Sequence, residues 1–334
     1  MFKYPSIIFL AISLVFSAFF SVSLSAEAQF RDCKAGLMPF TLYSKGAIRT
    51  YYHENSSIQG ISYFDAEGVK YATQEYTYNN QQLIHSRRLT QQLARCFSHS
   101  STFSYTYNTT RQLLESLQRY GKGAGCKTTY SYAKFGLAKA SVYDCYFYCL
   151  DLLDQLIEYN YNSSGQLISR HFFSPNEELL LSQEWTYDSQ ERVICFATYD
   201  QEHNLIWATE YSFGQIDKEG QQGPNIETYI GPNRDILGYL HIYLCQDENL
   251  KDQPCYIYAY DKTGTLTTLT SFTYNLAGQL IKIFDLDRFC NLLGSVQLFY
   301  DTLSRPYQIE YEYSDMDLLT KRVLTYLQLP QNEI

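Results

Sequence analysis

The chain has 334 residues, of which 45% are hydrophobic and 18% charged, and its formal net charge is −9. These values exclude a disordered, collagen-like or coiled-coil chain, and they allow one large domain or two medium ones. The negative charge argues against a nucleic-acid partner, because that kind of binding depends on basic patches. Tyrosine is unusually frequent, with 33 residues against 20 Phe and 2 Trp. Because tyrosine favours half-buried strand surfaces, the composition favours β structure.

The N-terminal segment has the three regions of a secretory signal peptide. Lys3 supplies the positive charge, residues 6–24 are uncharged and rich in apolar side chains, and Ala26-Glu27-Ala28 has small residues where a cleavage site needs them. We therefore predict that residues 1–28 are removed by a cut after Ala28, and that the mature protein is secreted, periplasmic or at the cell envelope. An uncleaved membrane anchor is the alternative, because the uncharged run approaches the length that spans a bilayer.

One short unit recurs along the chain: two aromatic residues at alternate positions, then Asp or Asn, a few turn residues and a small apolar run. Tyr161 and Tyr187 are 26 residues apart, as are Tyr274 and Tyr300, and intervening copies reduce the period to near 13. A strand of about eight or nine residues with a short turn has this length. The repeat therefore predicts successive β-hairpins. Clear copies begin at Tyr76, Tyr105, Tyr159, Trp185, Tyr258, Phe272, Phe299 and Tyr311.

Each position of this unit has a physical role. The alternating aromatics lie on one face of a strand, and the Asp or Asn that follows can accept a hydrogen bond from the backbone two residues later. Glycine three residues after it, as at Gly165 and Gly264, permits the left-handed conformation of a tight turn. We therefore predict an all-β fold in which antiparallel hairpins form a curved or coiled extended sheet, and neighbouring hairpins supply each other's core.

Two stretches interrupt the repeat. Residues 109–120 place Leu113, Leu117 and Tyr120 on one helical face, which predicts a short helix. Residues 214–236 are rich in Gly, Pro, Asn and Gln, which predicts a long loop or a boundary between two blocks of repeats. The resulting organisation is a signal peptide over 1–28, an N-terminal segment over 29–58 and a repeat region over 59–334.

The best copies of the unit are YNSSGQLI at 161–168, YDKTGTL at 260–266 and YNLAGQLI at 274–281. This pattern resembles the tyrosine–aspartate repeat, also called the YD or RHS repeat, of bacterial secreted and surface proteins. The resemblance covers about residues 60–314, and it implies long β-sheet ribbons that coil into shells, in some members around a toxin. MORN-like hairpin repeats, which share the tyrosines and glycines, are a second resemblance.

The side chains indicate a binding surface rather than a reaction centre. There is no C-x-x-C motif and no His at ligand spacing near a Cys pair, so we predict no metal site, and we identify no catalytic or cofactor-binding residue. Nine cysteines leave at least one thiol unpaired within the chain, and Cys245 and Cys255, which flank a polar turn segment, are the best local disulfide pair. The candidate binding face consists of repeat tyrosines: Tyr159, Tyr161, Tyr187, Tyr258, Tyr260 and Tyr274.

The leading functional hypothesis is an exported, non-enzymatic binding or structural module at the bacterial envelope or outside the cell. Its partner would be a protein or glycan at the envelope or on a host surface, with no nucleic acid and no small-molecule cofactor. Three alternatives stay open: a secreted hydrolase with a site built by a loop such as 214–236, part of a toxin-delivery shell, and an outer-membrane barrel. Against the barrel, strands such as 309–313 would turn charged side chains toward lipid.

Overall fold

The computed structural model describes residues 45–94, 97–120, 124–146, 150–214, 223–250 and 253–314. The predicted signal peptide at 1–28 lies outside the described residues. The described residues form 20 strands and one turn of 3-10 helix, Glu248–Leu250. Within these ranges, no helix has the length and apolar character needed to cross a membrane.

The strands run through the whole described chain and are numbered in chain order. The first ten are β1 (Lys45–Tyr52), β2 (Ile58–Phe64), β3 (Lys70–Tyr78), β4 (Ile84–Ala94), β5 (Phe97–Tyr107), β6 (Leu113–Tyr120), β7 (Ala124–Ala133), β8 (Gly136–Tyr146), β9 (Leu150–Tyr161) and β10 (Leu167–Phe173). The second ten are β11 (Leu179–Tyr187), β12 (Val193–Asp200), β13 (Leu205–Ser212), β14 (Asn225–Ile230), β15 (Ile236–Leu244), β16 (Pro254–Asp261), β17 (Leu266–Tyr274), β18 (Leu280–Asp287), β19 (Leu292–Tyr300) and β20 (Pro306–Tyr313).

All 20 strands of the described chain belong to one sheet. Its first and last strands are hydrogen-bonded to each other in antiparallel register, with Ala47 opposite Glu310 and Ile48 opposite Ile309. The first and last strands therefore leave no free edge, so the antiparallel sheet is closed, and the predicted curved or coiled open sheet is wrong. The physical reason is that closure leaves no unpaired edge strand, which an open sheet of hairpins would have at both ends.

The helix predicted near 109–120 is also wrong, because residues 113–120 form β6. This strand pairs with β7, and two side-chain contacts tie them together: an ion pair of Glu115 with Lys127 at 3.6 Å, and a hydrogen bond between the Ser116 and Tyr130 hydroxyls at 3.1 Å. The spacing of the two leucines fits a helical face, but pairing with the neighbouring strand outweighs this weak local preference.

The stretch predicted as a long loop near 214–236 contains a strand. β14 occupies 225–230 and pairs with β13 on one side and β15 on the other. A tight turn over 231–235, with Arg234 at a φ of 61°, connects β14 to β15. Residues 215–222 lie outside the described residues.

The chain divides into two compact units. Unit 1 contains the described residues up to Thr102, then Cys245–Gln253, and then those from Thr270 onward, so it includes β1–β4 and β18–β20. Unit 2 contains Phe103–Leu244 and Pro254–Leu269, and so includes β6–β16.

The hairpin turns share one hydrogen-bond pattern, which confirms the predicted Asx-turn. In ten turns of the described chain, the side-chain Oδ1 of an Asp or Asn accepts the backbone N–H of the residues two and four positions later. The residue three positions later has a φ between 61° and 85°, and it is glycine in four of these described turns. The ten are Asp65, Asn79, Asn108, Asn162, Asp188, Asp200, Asp261, Asn275, Asp287 and Asp301.

In unit 1, alternate residues of each strand form a packed face. Cross-strand neighbours continue the core from strand to strand: Leu298 is opposite Ile309, Ile309 is opposite Ile48, and Ile48 is opposite Tyr63. Ile48 and Tyr63 are fully buried. Gly294 lies opposite Tyr313, and the tyrosine ring covers it so closely that a Cβ at residue 294 would lie 2.1 Å from the ring. A glycine is therefore required at that position.

Unit 2 has a packed face of its own, and this face contains a buried acid. Leu240 and Ile242 of β15 are buried, and so are Ile257 and Ala259 of β16. Glu227 of β14 lies opposite Leu240 and is 1% exposed. The Tyr229 hydroxyl donates a 2.7 Å hydrogen bond to its Oε2, while no donor to its Oε1 exists among the described residues. Burial raises the pKa of Glu227 to about 7, against the smaller opposing effect of Tyr229.

Replacing Asn162 tests the contribution of one turn. Its Oδ1 accepts the N–H of Ser164 at 3.0 Å and of Gln166 at 2.9 Å. Asn162→Ala removes the one oxygen that accepts both hydrogen bonds, so we expect a loss of about 1–2 kcal/mol in the free energy of unfolding, measured by urea denaturation. Asn162→Asp is the control, because it retains the accepting oxygen. Equal losses in the two variants would contradict this assignment.

Glu227 makes stability depend on pH. Its pKa is about 7 in the folded protein and 4.5 in an exposed glutamate, so between these two values the unfolded chain releases a proton that the folded protein retains. Stability is therefore lost as pH rises from about 4.5 to 7, by up to about 3 kcal/mol. We expect Glu227→Gln to match the wild type near pH 4 and to exceed it in stability at pH 8, as measured by denaturation across pH. Parallel curves for the two proteins would rule out this role of the carboxyl.

Candidate functional site

Two tyrosines of the predicted binding face have a structural role. The Tyr161 hydroxyl donates to the carbonyl oxygen of Leu137 at 3.0 Å, and the Tyr187 hydroxyl donates to that of Leu167 at 2.8 Å. In each case a tyrosine at the end of one strand donates a hydrogen bond to a residue near the beginning of the neighbouring strand. Burial raises the pKa of both phenols. These hydroxyls therefore connect neighbouring strands within unit 2.

The other four predicted tyrosines are distributed over both units. Tyr159 is half-buried and lies opposite Arg170 of β10. Tyr274 ends β17 in unit 1, and its pKa is raised first by burial and then by the nearby Tyr300. Tyr258 and Tyr260 lie on β16 in unit 2. Of the six predicted residues, only Tyr258 and Tyr260 lie on the hairpin of β15 and β16. That all six form one binding face stays a prediction.

β15 and β16 carry a patch of six aromatic rings, which we call the aromatic strip. Three cross-strand pairs build it, with Tyr239 opposite Tyr260, His241 opposite Tyr258, and Tyr243 opposite Tyr256. Side chains at alternate positions of a strand point to the same face, so all six rings lie on one side of this hairpin. The strip consists of Tyr239, His241, Tyr243, Tyr256, Tyr258 and Tyr260.

The rings of the strip contact one another in defined geometries. Tyr239 and Tyr260 are stacked, with ring centroids 4.9 Å apart and planes at 17°. His241 lies 5.3 Å from Tyr239 and 5.0 Å from Tyr260. Tyr243 and Tyr258 meet edge to face at 5.5 Å. Such contacts are favourable for aromatic pairs, and they hold the strip in one arrangement.

The strip is accessible because the opposite face of the same two strands forms the core of unit 2. The residues between the rings, such as Leu240 and Ile257, are buried. By contrast, Tyr256 is 47% exposed and Tyr243 is 37% exposed. The strip therefore presents aromatic surface and phenol hydroxyls to solvent on a rigid two-stranded support.

Two side chains of the strip have shifted pKa values, and both shifts favour the neutral form. Burial lowers the pKa of His241, which favours the neutral imidazole. Burial, followed by neighbouring tyrosines, raises the pKa of Tyr260, which favours the neutral phenol. A neutral surface of rings and hydroxyls suits a ligand that is itself uncharged and has both apolar faces and hydroxyl groups.

Four members of the strip were missed by the repeat pattern: Tyr239, His241, Tyr243 and Tyr256. The repeat picks out only the two aromatics before each Asp or Asn turn. The signal that could have found them is alternation, because Tyr-x-His-x-Tyr at 239–243 and Tyr-x-Tyr-x-Tyr at 256–260 flank the same short connection.

The strip itself contains neither a cysteine nor a carboxylate side chain. Cys245 and Cys255 are both disulfide-bonded, and so is Cys126, while Cys195 and Cys290 are free. The pairing of Cys245 with Cys255 stays a prediction. In the ranges that the structure describes, no group of three or more His, Cys, Asp or Glu could hold a metal ion.

No protein-family model matches this chain, and no curated protein matches it. Among solved structures it is similar to a porin-like protein from Bacteroides uniformis, with 9% identity, a TM-score of 0.35, and coverage of 83% of this chain and 97% of that one. A porin-like protein from Bacteroides vulgatus gives 13% identity and a TM-score of 0.22 over 82% of this chain and 99% of that one. A chain of the TcdB2-TccC3-TEV structure gives 11% identity and a TM-score of 0.22, covering 80% of this chain and 20% of that one. Similarities at this level carry no conclusion about function.

Proposed function

We propose that the protein is an exported, non-enzymatic binding module that acts at the bacterial envelope or outside the cell, and that its aromatic strip binds a neutral glycan. The observation that carries this proposal is the strip: six rings on one accessible face of β15 and β16, five of which contact a neighbouring ring of the strip. Sugars present apolar C–H faces and hydroxyl groups, which match aromatic rings and phenol hydroxyls. The sequence of residues 1–28 supports export.

The chemistry of the strip supports binding rather than catalysis. Acid–base catalysis needs a titratable group placed to transfer a proton, commonly with a second group that orients it. The strip has one imidazole, that of His241, and its neighbours at 5.0 and 5.3 Å are tyrosine rings. The secreted-hydrolase alternative therefore gains no support from this surface.

The open faces of the strands, opposite the packed cores, support contact with water rather than lipid. In unit 1, Lys45 and Glu312 form a 2.8 Å ion pair on this face. In unit 2, Lys139 and Glu158 form one at 4.0 Å. A barrel embedded in a membrane needs an apolar band toward lipid, and charged side chains there are destabilising. We therefore place the protein in an aqueous compartment outside the cytoplasm.

The test uses the mature protein with cellohexaose and chitohexaose as probes in isothermal titration calorimetry. We expect at least one probe to bind, and Tyr256→Ala and Tyr243→Ala each to weaken binding about tenfold, because exposed tyrosines at the centre of a contact contribute strongly. Tyr307→Ala is the matched control, since Tyr307 is 41% exposed but lies on β20 in unit 1. Absence of binding to both neutral probes, or equal losses in all three variants, would refute the proposal.

A further inference from the structure

A pocket of about 420 Å³ lies in unit 1, on the open face where β1 meets β20. Its floor includes the small side chains of Ala47 and Ser295. Ala47 is opposite Glu310, and Ser295 is opposite Glu312, so short side chains alternate with long ones on neighbouring strands. A depression bordered by charged groups results, with a volume in the range of small-molecule sites.

Most of the charged groups lining this pocket already have partners. Lys45 pairs with Glu312. Arg49 donates to the Gln308 side chain at 3.0 Å and lies over the Phe64 ring. The Oδ1 of Asp65 accepts two backbone N–H groups of its own turn.

Among the described charged lining groups only Lys45 and Glu312 form an ion pair, so Lys282 and Glu310 lack an opposite charge there, as Arg49 and Asp65 do. The Lys282 ammonium lies 4.4 Å from the Phe284 ring centroid, and Glu310 accepts one hydrogen bond from Gln308. Lys282 is opposite Gln297, and Gln297 is opposite Glu310, so the three side chains form one row across β18, β19 and β20. The exposed Gln297 amide lies between the two charges.

The spacing of this row identifies a ligand class. Neighbouring strands are about 4.7–4.9 Å apart, so residues two strands apart are separated by about 9–10 Å. An extended tripeptide spans about 10 Å between its ends. We propose that this pocket binds a short zwitterionic peptide of about three residues, with its carboxylate at Lys282 and its ammonium at Glu310. Gln297 can donate to and accept from the peptide group between them. This site is independent of the proposed glycan function, since it uses other residues.

Triglycine and its blocked forms test the proposal on the full mature protein by isothermal titration calorimetry. The four probes are triglycine, N-acetyl-triglycine, triglycine amide, and N-acetyl-triglycine amide. We expect triglycine to bind, and each single block to weaken binding about tenfold, because each removes one charge-assisted hydrogen bond. Equal binding of the four probes, or no saturable binding of triglycine, would overturn the proposal without any variant being needed.

Two variants assign the two ends of the peptide. Lys282→Gln should remove the difference between triglycine and its amide while retaining the penalty for acetylation, and Glu310→Gln should do the reverse. Lys139→Gln and Glu158→Gln are matched controls, because these two residues form an ion pair on the open face of unit 2. A loss in the control variants as large as in the pocket variants, or a uniform loss for all four probes in Lys282→Gln, would contradict the assignment.

Discussion

The hydrogen bonds from Asp or Asn side chains to the turn backbone are the interaction on which the rest of the structure depends. Each such side chain holds two N–H groups, and it thereby fixes the length of the connection between two strands. The connection in turn fixes which residues of the two strands lie opposite each other. A slip of one residue would move Ile48 and Ile309 from the packed face to the open face. The repeated turn therefore sets the register of β18, β19 and β20, which carry the row of charged side chains in the pocket.

The excess of tyrosine now has two distinct explanations. Six tyrosines of the described chain, four of them the second aromatic of a repeat unit, donate their hydroxyl to a backbone carbonyl of a neighbouring strand at 2.7–3.0 Å. These bonds satisfy polar groups at strand ends that would otherwise depend on water. The members are Tyr52, Tyr78, Tyr132, Tyr161, Tyr187 and Tyr300. The tyrosines of the strip, by contrast, contact each other and remain accessible, so they are the ones available to a ligand.

The sequence predicted the features that depend on nearby residues. The Asx-turns, the left-handed position occupied by Gly165 and Gly264, and the all-β character follow from short-range hydrogen bonding and sterics. Closure of the sheet was not predictable in this way, because it depends on the pairing of β1 with β20. β1 lies in the 29–58 segment outside the repeat, and β20 follows it by more than 250 residues. The 113–120 strand was missed because its leucine spacing also fits a helix. Two of the six strip residues were predicted, since Tyr258 and Tyr260 precede a repeat turn and the other four rings do not.

The antiparallel pairing of β1 with β20 closes the sheet. It also brings together Ala47 and Glu310, which line the proposed peptide pocket. Residue-resolved amide hydrogen exchange of the mature protein measures this pairing directly. Because β1 pairs with β2 on one side and β20 on the other, the account predicts slow exchange at consecutive residues of β1, such as 46–49, and the same at 308–311 of β20. Fast exchange at every second residue of both strands, with β2 and β19 protected, would show two free edges and would contradict the closed sheet.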